Sequence, residues 1–238
     1  VHLKKKLTMK SNATRAKHAI LLIWIVAAVQ FISAVSSYFQ FVLLDNISNG
    51  VFVSEQEASA NDLRQVIVAI IYSLLFITSA VFFIMWFRRA YANQEQKFGD
   101  MATTNGWAAG AWFVPILNLF RPYRMMSEIY ENAIYHLEKR GVIDNKPSRM
   151  QLVGWWWGIW IGLNYLSRIF TTMTSQSTDL NSLKTGTVVD IVISILFVGL
   201  AYLTVKTIQN YNEMELLLEE EEGGTVAFAN KEILDAGM

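Results

Sequence analysis

The sequence predicts an all-α integral membrane protein with four transmembrane helices, a re-entrant or interfacial segment on the cytoplasmic side and an amphipathic helix. Three observations carry that expectation. Of 238 residues, 53% are hydrophobic, with 8 Trp and 14 Phe, a composition richer in apolar side chains than soluble domains usually show. Four runs are long and apolar enough to cross a bilayer, for which a helix needs ~20 residues. The connections between those runs alternate between basic and acidic, as the connections of a multi-pass protein do.

Residues 1–18 form a basic N-terminus, with Lys4, Lys5, Lys6, Lys10, Arg15 and Lys17 before the first apolar run. That run, 19–44, is long enough to tilt or to project beyond the hydrocarbon. Its alternative is a cleaved signal peptide, since Ser33, Ala34 and Ser36 resemble a cleavage region, but the run outlasts a signal core. The connection 45–62 has no Lys or Arg and carries Asp45, Glu55, Glu57 and Asp62. The second run is 66–87, and the segment 88–149 that follows carries nine basic residues. The third and fourth runs, 152–170 and 187–205, are separated by a connection whose one basic residue is Lys184. Basic connections stay in the cytoplasm, so both termini belong there, and the sequence places the chain in a cytoplasmic membrane. Residues 19–206 make the membrane domain. Residues 207–238 make an acidic tail, where Gly223 and Gly224 are expected to end the last helix and Val226, Phe228, Ile233 and Leu234 to offer a docking surface.

The uncharged segment 101–120 is nominally long enough for a fifth span, but basic residues flank it on both sides. Gly106, Gly110, Pro115 and Asn118 interrupt it. A proline breaks a helix, and irregular backbone survives at membrane depth only where something satisfies it. We therefore read 101–140 as re-entrant or interfacial. Its second half, framed by Pro122 and Gly141, is an amphipathic helix with Met126, Ile129, Tyr130, Ala133 and Leu137 on one face.

The residues that interrupt this segment also form a pattern. WFRRAYAN (86–93), GWAAGAWFVPILNLFRPYRMMSEIY (106–130) and GWWWGIW (154–160) together resemble the bacterial membrane family known as domain of unknown function 4328. The resemblance covers roughly residues 63–206. It rests on Arg89 and Asn93, followed by Gly106, Trp107, Gly110, Trp112, Phe113, Pro115, Asn118, Leu119 and Pro122. Tyr130 stands where relatives often carry Trp. The resemblance implies a small multi-span fold in a bacterial inner membrane and assigns no chemistry.

Other candidate positions are read from spacing and charge. Gly154, Gly158 and Gly162 recur every fourth residue, a glycine zipper that lets another helix approach closely. Packing within the chain is the first expectation there, and a homo-oligomer seam is the alternative. Arg168 and Asp190 are the strong charges well inside the third and fourth runs and are expected to form an intramembrane ion pair, with a water-filled vestibule as the alternative. Asn118 is expected to cap broken backbone, while Arg121 and Arg124 contact phospholipid headgroups.

Zero cysteines exclude disulfides and thiol chemistry, and His2, His18 and His136 are too scattered for a metal cluster, so neither a cofactor nor a metal is expected. Nucleophile-elbow and zinc-protease motifs are absent from the sequence, so no catalytic residue is assigned. The basic N-terminus is accounted for by topology, so no nucleic-acid partner is expected. Membrane lipids are expected partners, together with a second copy of the chain or a larger membrane complex. The resulting expectation is a non-catalytic scaffold or accessory subunit. The alternative is a small transporter or ligand-binding bundle gated by the re-entrant segment.

Overall fold

A computed structural model describes residues 9–99, 101–143, 146–175 and 179–236. All regular structure among these is helical. The helices are α1 (Ala13–Ser48), α2 (Glu55–Phe98), α3 (Trp107–Gly110), α4 (Arg121–Glu138), α5 (Lys146–Ser175) and α6 (Leu180–Ala236), with a 3₁₀ turn at Leu117–Leu119.

Local chemistry sets several of these limits. Ser54 and Glu57 open α2 as a reciprocal cap: the Glu57 amide donates to Ser54 Oγ at 3.2 Å and the Ser54 amide to Glu57 Oε2 at 3.0 Å. Gly141, at φ +69°, closes α4. There the Val142 amide donates to the Leu137 carbonyl and the Gly141 amide to that of Glu138, which satisfies carbonyls that a helix end would otherwise leave bare. Gly223 and Gly224 do not end α6, which continues to Ala236. A helical glycine costs only about 1 kcal/mol relative to alanine, so it weakens a helix without obliging it to stop. The expected docking residues beyond Gly224 have side chains outside the described set, as do Lys4, Lys5 and Lys6.

Residues 101–120 form no spanning helix. Pro115 has no amide to donate, and the segment breaks into α3, turns and the 3₁₀ turn before α4 begins. Among the described residues, three helices are long and apolar enough to cross a membrane: α1, α2 and the Leu180–Glu220 portion of α6. The α5 segment is not one of the three. Its Trp and Gly residues score low on hydropathy scales that reward aliphatic side chains.

The chain divides into two compact units. Unit 1 comprises Val1–Ala19, Phe82–Trp155 and Lys206–Met238. Its core is large: Trp86, Tyr91, Met126, Tyr130, Ile134, Leu137, Ile208 and Tyr211 are fully buried. α4 supplies much of it, because Met126, Ile129, Tyr130, Ala133 and Leu137 fall at helical spacing on its buried face. Each such side chain contributes about 1.5–3 kcal/mol of hydrophobic stabilisation.

Unit 2 comprises Ile20–Val81 and Trp156–Val205. Its interior is mixed: Ala27, Ala34, Ser36, Ser79 and Ser194 are buried beside Trp156, Leu163 and Leu200. Gln30 Nε2 donates to Ser194 Oγ at 3.4 Å. Many of its large apolar side chains point outwards, Leu74 at 63% exposure and Phe31 at 61% among them. Only 6% of the most apolar stretch of α2 is buried.

Candidate functional site

Unit 1 holds a buried polar centre built from three helices. Glu215, on the face of α6 that also carries Tyr211 and Leu218, is 1% exposed. Its Oε1 accepts from Asn93 Nδ2 at 2.7 Å and its Oε2 from Asn12 Nδ2 at 3.2 Å. Asn93, on α2, also donates to the Lys10 carbonyl at 2.8 Å and accepts from the Lys10 amide at 3.2 Å. Asn12, immediately before α1, donates further to the Trp86 carbonyl at 3.2 Å. The centre fixes the start of α1 and the distal part of α6 to α2.

Glu215 lies ten residues past the apolar run 187–205. Burial pushes its carboxyl up to about 7, opposed by the hydrogen bonds from Asn93 and Asn12, helped by nearby Glu219 and opposed again by the Arg89 charge. A carboxyl in that range exchanges its proton near neutral pH. Around it, Gln94 Nε2 donates to the Tyr211 hydroxyl at 3.0 Å and Lys97 Nζ to the Leu218 carbonyl at 2.7 Å. Tyr130, with its hydroxyl donating to the Thr207 carbonyl at 2.6 Å, joins α4 to α6.

The motif residues divide between this unit's core and its surface. Asn93 is buried in the polar centre, and Arg89 is half-buried beside a cavity described below. Gly106 precedes α3, and a Cβ on Gly110 would touch the Trp107 ring at 3.6 Å. Trp112 packs edge-on to Phe83 and Phe87, with ring centres at 5.6 and 6.4 Å, and its Nε1 donates to the Ala108 carbonyl. Pro122 is buried in the first turn of α4. By contrast Phe113 (76% exposed), Ile116 (73%), Val114, Leu119 and Phe120 form an apolar surface around the exposed Pro115.

Asn118 does not cap the break. Backbone bonds close it, with the Asn118 amide on the Val114 carbonyl at 2.8 Å and the Phe120 amide on that of Leu117, while Asn118 Oδ1 is buried without a hydrogen-bond partner. The Arg121 guanidinium stacks 4.1 Å over Trp107 and donates to Thr103 Oγ1, and that of Arg124 lies 5.2 Å over Phe120. Both arginines are thus held by neighbours within the chain.

Two pairings expected from the sequence are not made. Arg168 and Asp190 are both exposed, and no ion pair joins them among the described residues. The unit 2 ion pair is Lys184 with Asp45, near the ends of the apolar runs, where water can hydrate both charges. Gly154, Gly158 and Gly162 have no close partner among the described residues: a Cβ on any of them meets nothing within 4 Å. Spacing fixes which residues share a stripe but not which way the stripe faces.

Glu215 and Asn12 are not among the residues that motif, spacing or charge singles out. The available signal was positional: Tyr211, Glu215 and Leu218 share one helical stripe, so an acid stands among apolar residues. It was masked by the acidic run around it, which reads as a solvated tail.

The fold therefore defines an all-helical chain with three helices apolar enough to cross a membrane and a buried carboxyl–amide centre. The chain belongs to the family described as domain of unknown function (DUF4328), whose profile matches residues 49–213. The match includes Asn93 and the whole of the central motif and stops two residues short of Glu215. No curated protein and no solved structure matches the chain.

Proposed function

We propose that this is a non-catalytic, multi-pass protein of a bacterial cytoplasmic membrane, a scaffold or accessory subunit that binds lipids or protein partners, with both termini in the cytoplasm. The carrying observation is the apolar surface of unit 2, where Leu74, Phe31 and Ile77 face outwards. Contiguous apolar surface of this kind is a liability in water and an ordinary boundary in lipid. On this reading α5 is the fourth span, its lower hydropathy offset by burial of Trp156 and Trp157. Lys and Arg still distribute as a cytoplasmic N-terminus, an outer connection 45–62 and a cytoplasmic segment 88–149 require.

The apolar surface of Phe113, Val114, Ile116, Leu119 and Phe120 supports an interfacial or re-entrant role for the segment 101–120. Arg121 and Arg124 flank it at headgroup level. The open stripe of Gly154, Gly158 and Gly162 supports a helix from another copy or another subunit as the partner.

Single cysteines at Ser54 and Ser148, in this cysteine-free chain, test the topology. An impermeant maleimide should label Ser54→Cys and spare Ser148→Cys in intact cells, and the reverse pattern would overturn the proposed orientation. Mild-detergent purification followed by mass spectrometry tests the scaffold role. A stoichiometric partner protein or a retained lipid supports it, whereas turnover of a substrate by the purified chain would refute it.

A further inference from the structure

Unit 1 contains a cavity of about 290 Å³ lined by Arg15, Met85, Arg88, Arg89 and Ala92. Arg15 comes from the first turn of α1. Met85, Arg88, Arg89 and Ala92 fall on one stripe of α2, at spacings of three, four and seven. The volume is close to the ~300 Å³ at which small-ligand sites begin. Three arginines, with Arg88 exposed and Arg15 and Arg89 half-buried, thus line one open-mouthed space that no acidic residue lines. None of the three forms an ion pair among the described residues, although the Arg89 charge acts on the Glu215 carboxyl.

Like charges gathered this way repel one another, and an anion between them reverses the sign of that energy. Guanidinium is planar and presents paired donors that match phosphate oxygens, so three of them form a recognition set for phosphate more than for a compact monoanion. The apolar wall of Met85 and Ala92 suits the carbon portion of a phosphate ester. Arg15 stands just before the apolar run of α1, and Arg88 and Arg89 directly follow that of α2. If those runs span the bilayer, the cavity lies at the depth of phospholipid headgroups.

We propose that the Arg15–Arg88–Arg89 cavity is a binding site for a phosphate ester, either the headgroup of an anionic phospholipid or a soluble phosphate. The lipid form rests on the membrane reading above. The soluble form does not.

The test uses the full chain in a mild non-ionic detergent, with three probes: a phosphatidylglycerol, the matching diacylglycerol without phosphate, and inorganic phosphate. Retained lipid is read by native mass spectrometry, and binding by the shift in melting temperature. Phosphatidylglycerol should be retained and diacylglycerol should not. Arg15→Gln and Arg88→Gln should each weaken binding about tenfold, as expected for loss of one charge-assisted contact. Arg88→Lys, which keeps the charge but not the fork, should lose less. Lys17→Gln, the same charge loss away from the cavity, should change binding less than about twofold. Circular dichroism shows whether each variant is folded, and the Arg88→Lys series carries the test if a glutamine variant is not.

Inorganic phosphate that displaces the lipid and raises the melting temperature with the same arginine dependence assigns the site to a soluble phosphate. Arginine-dependent lipid binding that phosphate does not compete with assigns it to the headgroup. Arginine variants that bind like wild type, or no binding of either phosphate probe, overturn the proposal. Alkaline extraction of the same membranes separates the two readings. A chain that washes off but binds phosphate through these arginines refutes the membrane reading alone, and an integral chain with no such binding refutes the site alone.

Discussion

Unit 1 and unit 2 are built from the same long helices, yet they differ in how much large apolar surface each leaves outside. Unit 1 encloses Trp86, Tyr91, Tyr130 and Tyr211 around the buried Glu215. Unit 2 encloses alanine and serine beside Trp156, Leu163 and Leu200, and turns Leu74, Phe31 and Ile77 outwards. On the proposed membrane reading, the difference follows from the surroundings of each. Where the surroundings are aqueous, large apolar side chains gain by leaving them. Where the surroundings are as apolar as leucine, burial gains little, and close approach of small residues with a few hydrogen bonds is what remains.

The largest expected effects break this contrast directly. Trp86→Ala in unit 1 should cost about 3–5 kcal/mol by leaving a cavity in a packed core. Leu74→Ala in unit 2, at 63% exposure, should change stability in detergent by less than about 0.5 kcal/mol. Equal losses from chemical unfolding of the two variants would mean that unit 2 has a soluble-type core after all. Leu74→Asp sharpens the point: a charge at the centre of a spanning helix costs ~3 kcal/mol at insertion, so its abundance in membranes should fall although the side chain touches little protein.

The next effect separates unit 1 by pH. The Glu215 carboxyl is raised to about 7 from an ordinary 4.5, so between those values the unfolded chain gives up a proton that the folded chain keeps. Stability from this group is therefore full below about pH 4.5 and is lost as pH rises through 7, by on the order of 3 kcal/mol in all. The melting temperature should fall from pH 5 to pH 8, and Glu215→Gln, neutral throughout, should flatten that slope. A slope unchanged in Glu215→Gln would place its origin elsewhere.

Smaller effects concern unit 2. With open space around its Cα, Gly158→Ala should stabilise the isolated chain by about 0.5–1 kcal/mol through helix propensity alone. A loss of stability in dilute detergent would show that the stripe is closed within the chain. Asp45 is 42% exposed and its ion pair with Lys184 is well hydrated, so Lys184→Met should cost no more than about 0.5 kcal/mol, and less at high salt.

By itself the sequence determined the helical class, three of the apolar helices, the break at Pro115 and the amphipathic face of α4. Each is a local property: hydropathy summed along a run, a missing amide, or a period of 3.6 residues carried by Met126, Ile129, Tyr130, Ala133 and Leu137. What the sequence left open is which faces meet. Gly154, Gly158 and Gly162 share a stripe in any helix, but the tertiary structure decides that it faces open space. Arg168 and Asp190 are the charges inside apolar runs, but Asp45 and Lys184, 139 residues apart, are the pair that forms. The meeting of Asn12, Asn93 and Glu215 spans 203 residues, and nothing in the acidic run 213–222 distinguishes the one carboxyl that Asn93 and Asn12 draw into the core. A side chain's neighbours along the helix are fixed by covalent geometry, whereas its partners across the fold depend on the rotation and register of packed helices, which only the folded chain sets.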